Sequence, residues 1–370
     1  MLLNENHPAA AENEKPREKW SFRRSNYFEF VGAECRNVHE NVGLQDMSAF
    51  AKFEVSGAGA ERWLESTLTN RIPKAAGRVT LTYLLTQRGG VKSEFTLTRL
   101  GPQRFYLVSA GALETHDFDA LQKLLPHDSS VRLDKVTTQR GVLVLAGPRS
   151  RDVLEKVVDI DVSGNAFPWL SAKHMSVRAA GLLALRVNFV GELGYELHHP
   201  IEMQNYVFDA LMEAGAAYGI KPFGIRAMDS LRLEKSYKLV GRELSIEYAA
   251  LESGLDRFIG LDKGPFVGRE ALVTWRGKGF ENKLVTLEVH DVTDADARGS
   301  EPVTKSGAIV GRTTSGGYGW RTGKSLALAM VRPEYAGFGT ELEISILAES
   351  HRATVIADSP FDPKNAALQG

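Results

Sequence analysis

The chain lacks the features that most readily assign a function. Its 370 residues hold one cysteine, Cys35, which excludes an intramolecular disulfide and a multi-cysteine metal site. No apolar run approaches the length of a membrane-spanning helix. Neither sign of charge is in excess: 45 Lys and Arg stand against 46 Asp and Glu, so no general field draws the chain to nucleic acid or to an anionic membrane. The start, Met1-Leu-Leu-Asn-Glu, lacks the basic residues and apolar core of a signal peptide. Its first residues are acidic rather than Arg-rich, which suits a cytoplasmic protein better than a mitochondrial matrix one. Nine histidines are scattered along the chain. The pair His198-His199 falls on a predicted strand, where neighbours face opposite ways and do not readily share a metal.

What is present is a globular composition, 43% hydrophobic and 25% charged, in a chain long enough for two or three domains. Residues 1–19 are polar and expected to be disordered, with structure starting near Trp20. Helices are expected over Glu29–Asn41, Glu61–Thr69, Thr115–Leu125, Glu202–Ala217 and Phe223–Lys235. A further helix is expected to end at Val158. Strands are expected over Ala51–Val55, Val79–Leu85, Glu94–Arg99, Arg104–Ser109, Gly141–Ala146 and Leu182–Asn188. This mixture is α+β and is taken as one domain over 20–274. From Lys283 the character changes to five short strands separated by turns, an all-β barrel or Greek-key module over 283–370. The linker is placed at Trp275–Glu281.

Two glycine-rich stretches suggest nucleotide loops and fail as such. Gly57-Ala-Gly59-Ala follows a strand and precedes a helix, but Arg62 stands where a third glycine belongs and no acidic ribose anchor follows. Ser315-Gly-Gly-Tyr-Gly319 lacks the lysine and the following helix of a phosphate loop.

The most informative stretch is Val187–Leu197. Two apolar runs flank Gly191-Glu192-Leu193-Gly194, whose glycines accept the positive φ of a tight hairpin. Glu196 lies between Tyr195 and Leu197, a costly place for a carboxylate unless something pairs with it. The bland alternative is a cross-strand Lys or Arg partner. Earlier, the alternation of Glu94-Phe-Thr-Leu-Thr98 puts Glu94, Thr96 and Thr98 on one face of a strand just past Gly89-Gly90.

These segments resemble the aminomethyltransferase family, the T-protein of the glycine cleavage system and its relatives. Gly43-Leu-Gln-Asp46-Met-Ser48, Gly89-Gly90-Val-Lys-Ser-Glu94, Asp229-Ser-Leu-Arg232-Leu-Glu234 and Thr314-Ser-Gly-Gly317 resemble family motifs in the family's order, the last as a turn of the C-terminal barrel. Leu233-Glu-Lys235-Ser-Tyr237 and Leu251-Glu252-Ser-Gly254-Leu-Asp256 are more similar to the folate-binding half of dimethylglycine and sarcosine dehydrogenases, without their FAD domain.

The resemblance implies a three-subdomain cloverleaf around a tetrahydrofolate pocket. It implies a one-carbon transferase forming 5,10-methylene- or 5-methyl-tetrahydrofolate. The donor is an N-methylated amine oxidised by a separate FAD-dependent subunit, or a small molecule demethylated directly. Glu196 then grips the amino edge of the pterin. Glu94 stands at the catalytic acid position, usually Asp. Phe189, Leu81, Thr96, Phe50, Tyr195 and Arg232 are the remaining candidate folate contacts. Phe189 and Leu81 fall where Tyr is common, and Met228 replaces an Arg. The competing reading is a folate-binding or docking subunit with a degenerate site. Relatives in iron–sulfur cluster maintenance carry a reactive cysteine in the second half, and Cys35 lies too early for that role.

Overall fold

The computed structural model describes Lys19 and residues 21–370, so most of the tail expected to be disordered lies outside the described residues. In chain order the first elements are α1 (Phe28–Glu40) and β1 (Val42–Asp46). There follow β2 (Ala51–Ser56), α2 (Ala60–Thr67), β3 (Val79–Leu85), β4 (Val91–Gly101), β5 (Arg104–Ser109), α3 (Glu114–Gln122) and β6 (Arg132–Lys135). Next come β7 (Arg140–Ala146), α4 (Ser150–Glu155), β8 (Ala172–Val177), β9 (Ala180–Leu185), β10 (Gly194–Pro200) and α5 (Gln204–Gly215). They continue with β11 (Ile220–Pro222), α6 (Ile225–Leu233) and α7 (Arg269–Lys278). The last part holds β12 (Lys283–Val289), β13 (Pro302–Lys305), β14 (Ala308–Gly319), β15 (Lys324–Val331), β16 (Glu341–Ile346), β17 (Glu349–Ile356) and α8 (Ala366–Gln369).

The strands form three sheets, and the class is α+β as expected. One is six-stranded in the order β11-β1-β7-β10-β9-β8, one is five-stranded in the order β3-β4-β5-β2-β6, and β12-β15-β14-β13-β16-β17 closes into a barrel. Strand alternation gives each open sheet two apolar faces. On one face of the six-stranded sheet, Leu143, Leu145, Tyr195 and Leu197 share a core with Val153 and Leu154 of α4 and Val207 and Leu211 of α5. In the five-stranded sheet Phe53, Phe95, Leu97 and Phe105 pack on Trp63 and Leu64 of α2 and on Leu121 of α3. The other two faces meet: Val79, Tyr106 and Val108 of one sheet share a cluster with Leu183 and Leu185 of the other. This is why Gly141–Ala146 is apolar without interruption; both of its faces are covered.

Four expectations need correction. The barrel has six strands rather than five; β13, only Pro302–Lys305, is too short and polar to alternate visibly. Thr314–Gly317 is not a turn but lies inside β14, where a Cβ on Gly316 would stand 2.3 Å from the Ala297 carbonyl oxygen. The expected linker begins as the last turn of α7, and its end is held, because Glu252 accepts the backbone N–H of Glu281 and Asn282 at 3.0 and 2.8 Å. Finally, Leu182–Asn188 is not one strand leading into a tight turn. The ladder stops at Leu185, and Arg186–Leu193 form a wider loop.

A buried ionic hub joins these parts. The Arg321 guanidinium, on the turn between β14 and β15, contacts Glu234 at 2.7 Å and Glu192 at 2.8 Å, and its Nη2 donates to the Leu231 carbonyl. Glu234 also accepts the backbone N–H groups of Arg321 and Thr322 at 2.8 and 2.7 Å. His39 of α1 reaches Glu192 at 2.9 Å, and that contact raises the His39 pKa. Cys35, one turn earlier, is fully covered, and burial pushes its thiol up to about 12. A thiol at that value is not a nucleophile at neutral pH. Among the described residues no helix is long and apolar enough to cross a membrane.

Candidate functional site

The candidate site lies where the two open sheets face each other. Across the β3–β4 ladder Tyr83 is opposite Glu94 and Leu81 is opposite Thr96. Across β4–β5 Thr96 is opposite Val108 and Thr98 is opposite Tyr106. Paired residues share a face, so these side chains form one surface. On the facing sheet Glu196 pairs with Leu185 and Val144, and His198 pairs with Leu183 and Val142. Contact between the surfaces is direct: Tyr106 Oη lies 3.1 Å from His198 Nδ1.

Glu94 is surrounded by protein yet keeps some accessible surface, as a side chain at the bottom of a crevice does. Burial raises its pKa to about 7, while a hydrogen bond from Tyr83 and the nearby Lys238 cation pull the other way. Tyr83 is pushed well above its ordinary value, by burial first and then by Glu94, so its hydroxyl keeps its proton and donates to the carboxylate. Lys238, on the segment after α6, is half-buried and makes a long hydrogen bond of 3.5 Å to the Ser236 carbonyl. Burial lowers its pKa. Tyr83 was missed in the sequence although a signal was there: it is two residues beyond Leu81 and across the Gly89-Gly90 hairpin from Glu94.

Glu196 is nearly covered, its side chain 11% exposed, and among the described residues no Lys or Arg pairs with it. Its Oε2 lies 3.2 Å from His198 Nε2. This same-face partner two residues on was legible from strand alternation, yet the pair of histidines had been weighed for metal binding alone. His199 faces the other way, with Nδ1 2.9 Å from the Pro200 carbonyl oxygen. Glu94 and Thr98, the latter level with Tyr106, are four residues apart on β4, about 13 Å along the strand.

The remaining candidates divide. Phe189, in the loop before β10, lies with its ring 5.5 Å from that of Tyr237 and tilted by 33°. Phe50 packs against the cluster of Val79, Tyr106 and Val108. Leu81 and Thr96 are half-buried on the cleft face. Tyr195 is not in the cleft: it points to the opposite face of β10 and packs on Phe167, ring centroids 5.6 Å apart. Tyr195→Phe should therefore leave ligand affinity within about twofold by calorimetry. Arg232 is fully buried and committed to the protein, donating to Asp229 at 2.7 Å, to the Tyr237 carbonyl at 3.0 Å and to Ser315 at 3.0 Å. It secures α6 and the Tyr237 segment to the barrel and is not free for a ligand. Met228 lies against an apolar cluster that includes Phe223 and Leu231, so no cation stands there.

The loop carrying Phe189 is stiff. Asn188 accepts the N–H of Val190 and Gly191 at 2.9 and 3.0 Å and donates to the Glu192 carbonyl at 2.8 Å. Gly191 has φ +78°, and a Cβ there would stand 2.4 Å from Lys235 Cγ. Gly191→Ala should lower stability by about 1–2 kcal/mol, read from denaturant midpoints.

The arrangement fits a flat, amine-edged heterocycle. Glu196 has acceptor capacity left, Phe189 and Tyr237 supply aromatic surface, and Glu94 is a carboxyl poised near neutrality. Among the described residues no group of His, Cys, Asp and Glu is placed to hold a metal ion. Two open recesses of about 380 and 370 Å³ lie elsewhere, one beside Arg24 and Tyr318 and the other beside Lys92 and Ile246. Neither contains Glu94 or Glu196, so chemistry rather than size picks the site.

Residues 9–263 match the GCVT N-terminal domain, and residues 282–362 match the glycine cleavage T-protein C-terminal barrel domain. The chain is 36% identical over 340 residues to human mitochondrial dimethylglycine dehydrogenase, covering 91% of this chain and 39% of that protein. It thus spans about two fifths of the length of that relative. It is 30% identical over 324 residues to the aminomethyltransferase of Desulfitobacterium hafniense (strain Y51), covering 87% of each. The crystal structure of glycine cleavage system aminomethyltransferase T from Bartonella henselae superposes with a TM-score of 0.82 at 22% identity, covering 94% of each chain, which shows the shared fold. With both halves matched and a full-length relative of the same kind, the chain belongs to the glycine cleavage T-protein family of aminomethyltransferases.

Proposed function

We propose that the chain is a tetrahydrofolate-dependent one-carbon transferase that forms 5,10-methylene- or 5-methyl-tetrahydrofolate. The observation that carries the reading is two carboxyls on the facing surfaces of the two open sheets: Glu94, whose pKa burial raises to about 7, and Glu196, nearly covered and, among the described residues, without a Lys or Arg partner. Tetrahydrofolate, bound there, supplies the nucleophilic nitrogen that accepts the one-carbon unit. Glu196 accepts from the ligand's amino edge, a planar match for two carboxylate oxygens. Phe189 and Tyr237 offer a ring surface, and Leu81, Phe50 and Thr96 wall the cleft and exclude water. Glu94 stabilises positive charge that develops beside it and takes a proton, while the Tyr83 hydroxyl holds its orientation. In this reading the donor is an N-methylated amine processed by an FAD-dependent amine oxidase. The likeness to a dimethylglycine dehydrogenase supports that donor class.

Titration calorimetry with tetrahydrofolate tests the proposal. Saturable binding is expected, and no binding up to roughly millimolar ligand would sink it. A second reading, a folate-binding or docking subunit without turnover, draws on Leu81, Phe189 and Met228, which offer no hydroxyl or cation. Single-turnover assays separate the two, since the second reading forms no methylene- or methyl-tetrahydrofolate from any donor.

A further inference from the structure

Among the described residues one side chain lies within hydrogen-bond reach of the Glu196 carboxylate, and that side chain is itself held from behind. His198 is fully buried, its Nε2 3.2 Å from Glu196 Oε2 and its Nδ1 3.1 Å from Tyr106 Oη. The Tyr106 ring meets the imidazole edge-on at 87°, with centroids 5.4 Å apart. These contacts determine where the protons are. A carboxylate only accepts, so Nε2 must carry hydrogen. A neutral imidazole then has a bare Nδ1, which accepts from the tyrosine hydroxyl. Tyr106 is buried, and burial pushes its pKa above its ordinary range, so it keeps the proton it donates.

Glu196 favours a charged imidazole, but burial outweighs it and the nearby cations side with burial. Besides Glu196 on its own strand, the groups facing it are Lys52 and Glu54 of β2, Tyr106 of β5 and Arg140 of β7. Lys52 spends itself on the carbonyls of Ser48 and Arg140, at 2.8 and 2.7 Å. Arg140 pairs with Glu54 at 2.7 Å. Neither cation bonds Glu196, and both disfavour an imidazolium. Burial acts in the same direction and lowers the His198 pKa.

We propose that His198, with Tyr106 behind it, is a positioning residue that aims a fixed N–H at Glu196 and so holds this carboxylate oriented for the amino edge of a reduced folate. The inference rests on the folate reading of the site and adds to it a relay: Tyr106 donates to Nδ1 and fixes the ring, the Nε2–H is aimed at Glu196, and Glu196 meets the ligand.

The test measures 5-formyltetrahydrofolate, an oxidation-stable reduced folate, by calorimetry between about pH 6 and 8. The full chain is used, with melting temperatures recorded for every variant. Wild type should bind with little pH dependence. His198→Leu should bind about 10- to 100-fold more weakly, because the Glu196 carboxylate loses the N–H that orients it. His198→Gln, whose amide can place an N–H where Nε2 stands, should keep affinity within about threefold and stay flat with pH. A readout free of ligand is the ¹⁵N spectrum of the imidazole, with His198 identified by its loss in His198→Gln. Wild type should show a neutral ring with hydrogen on Nε2 and a hydrogen-bonded Nδ1, and Tyr106→Phe the same tautomer with the Nδ1 resonance shifted by the lost hydrogen bond. The inference is overturned if His198→Leu binds like wild type at every pH while Glu196→Ala is impaired. It is also overturned if His198→Gln, folded and as heat-stable as wild type, fails as badly as His198→Leu. If Glu196→Ala itself binds normally, the folate reading falls first, and the tautomer spectrum then stands alone.

Discussion

Replacing Glu196 with alanine should weaken tetrahydrofolate binding by about 30- to 1,000-fold, the usual cost of losing a charged, two-point hydrogen bond in a covered site. The magnitude follows from what stays behind. The ligand's amino edge would face a small apolar void instead of two oxygens, and His198 Nε2–H would lose its acceptor. The apo protein should fold normally, because the carboxylate is not part of an ion pair with Lys or Arg. Calorimetry on folded variant and wild type measures the difference. Equal affinities would remove Glu196 from the site and leave the cleft without its anchor.

Glu94→Gln should lower single-turnover formation of methylene- or methyl-tetrahydrofolate by about 100-fold or more while leaving folate affinity nearly unchanged. Gln keeps the size and one acceptor but holds no negative charge beside a forming cation and takes no proton. The pH dependence carries the same message. With the Glu94 pKa near 7, wild-type turnover should rise as pH passes through about 7 and level off above it, whereas the residual rate of the variant should be flat. A stability effect accompanies this, with its sign fixed by the direction of the shift. The native carboxyl holds its proton more tightly than the unfolded one, so its contribution is full below the ordinary value near 4.5 and is lost as pH rises through about 7. Glu94→Gln should therefore melt above wild type at alkaline pH and close to it at acid pH. Normal turnover by the variant with an authentic donor would reduce Glu94 to a strand glutamate and leave catalysis to positioning.

The sequence exposed local periodicity and hid what depends on partners far along the chain. Strands such as Val79–Leu85 and Arg104–Ser109 agree to the residue because apolar alternation and flanking turns mark them without help. Short strands of low contrast, β1, β6, β8 and β11, were missed, since each is made a strand by the neighbour it pairs with. The same division runs through the site. Glu94 and Glu196 were visible as carboxylates in unusual company, and motif likeness supplied a role for them. Their controlling partners, Tyr83 and His198, are ordinary residues until register and burial bring them together. Tyr195 and Arg232 were drawn toward the ligand by adjacency to motifs. Strand alternation turns the first into the core, and hydrogen bonds to Asp229, Tyr237 and Ser315 occupy the second.

The Arg321 hub bears on how this protein can be cut. A truncation after Asn282 looks like clean removal of a β module, but Arg321 lies on the removed side while Glu234 and Glu192 lie on the retained side. Glu243 is in the same position: it accepts from Thr314 at 2.7 Å and from Ser315 at 2.5 Å, both on β14. The shortened chain would therefore keep three acidic side chains that are covered in the whole protein, two of them stripped of their guanidinium partner and the third of its hydroxyl donors. It would have to rearrange α6 and the Phe189 loop to bring water to them. Fragments made to study the candidate site in isolation would then report a site already altered, and the barrel is better regarded as the counter-ion of the half that carries Glu94 and Glu196 than as an appendage to it.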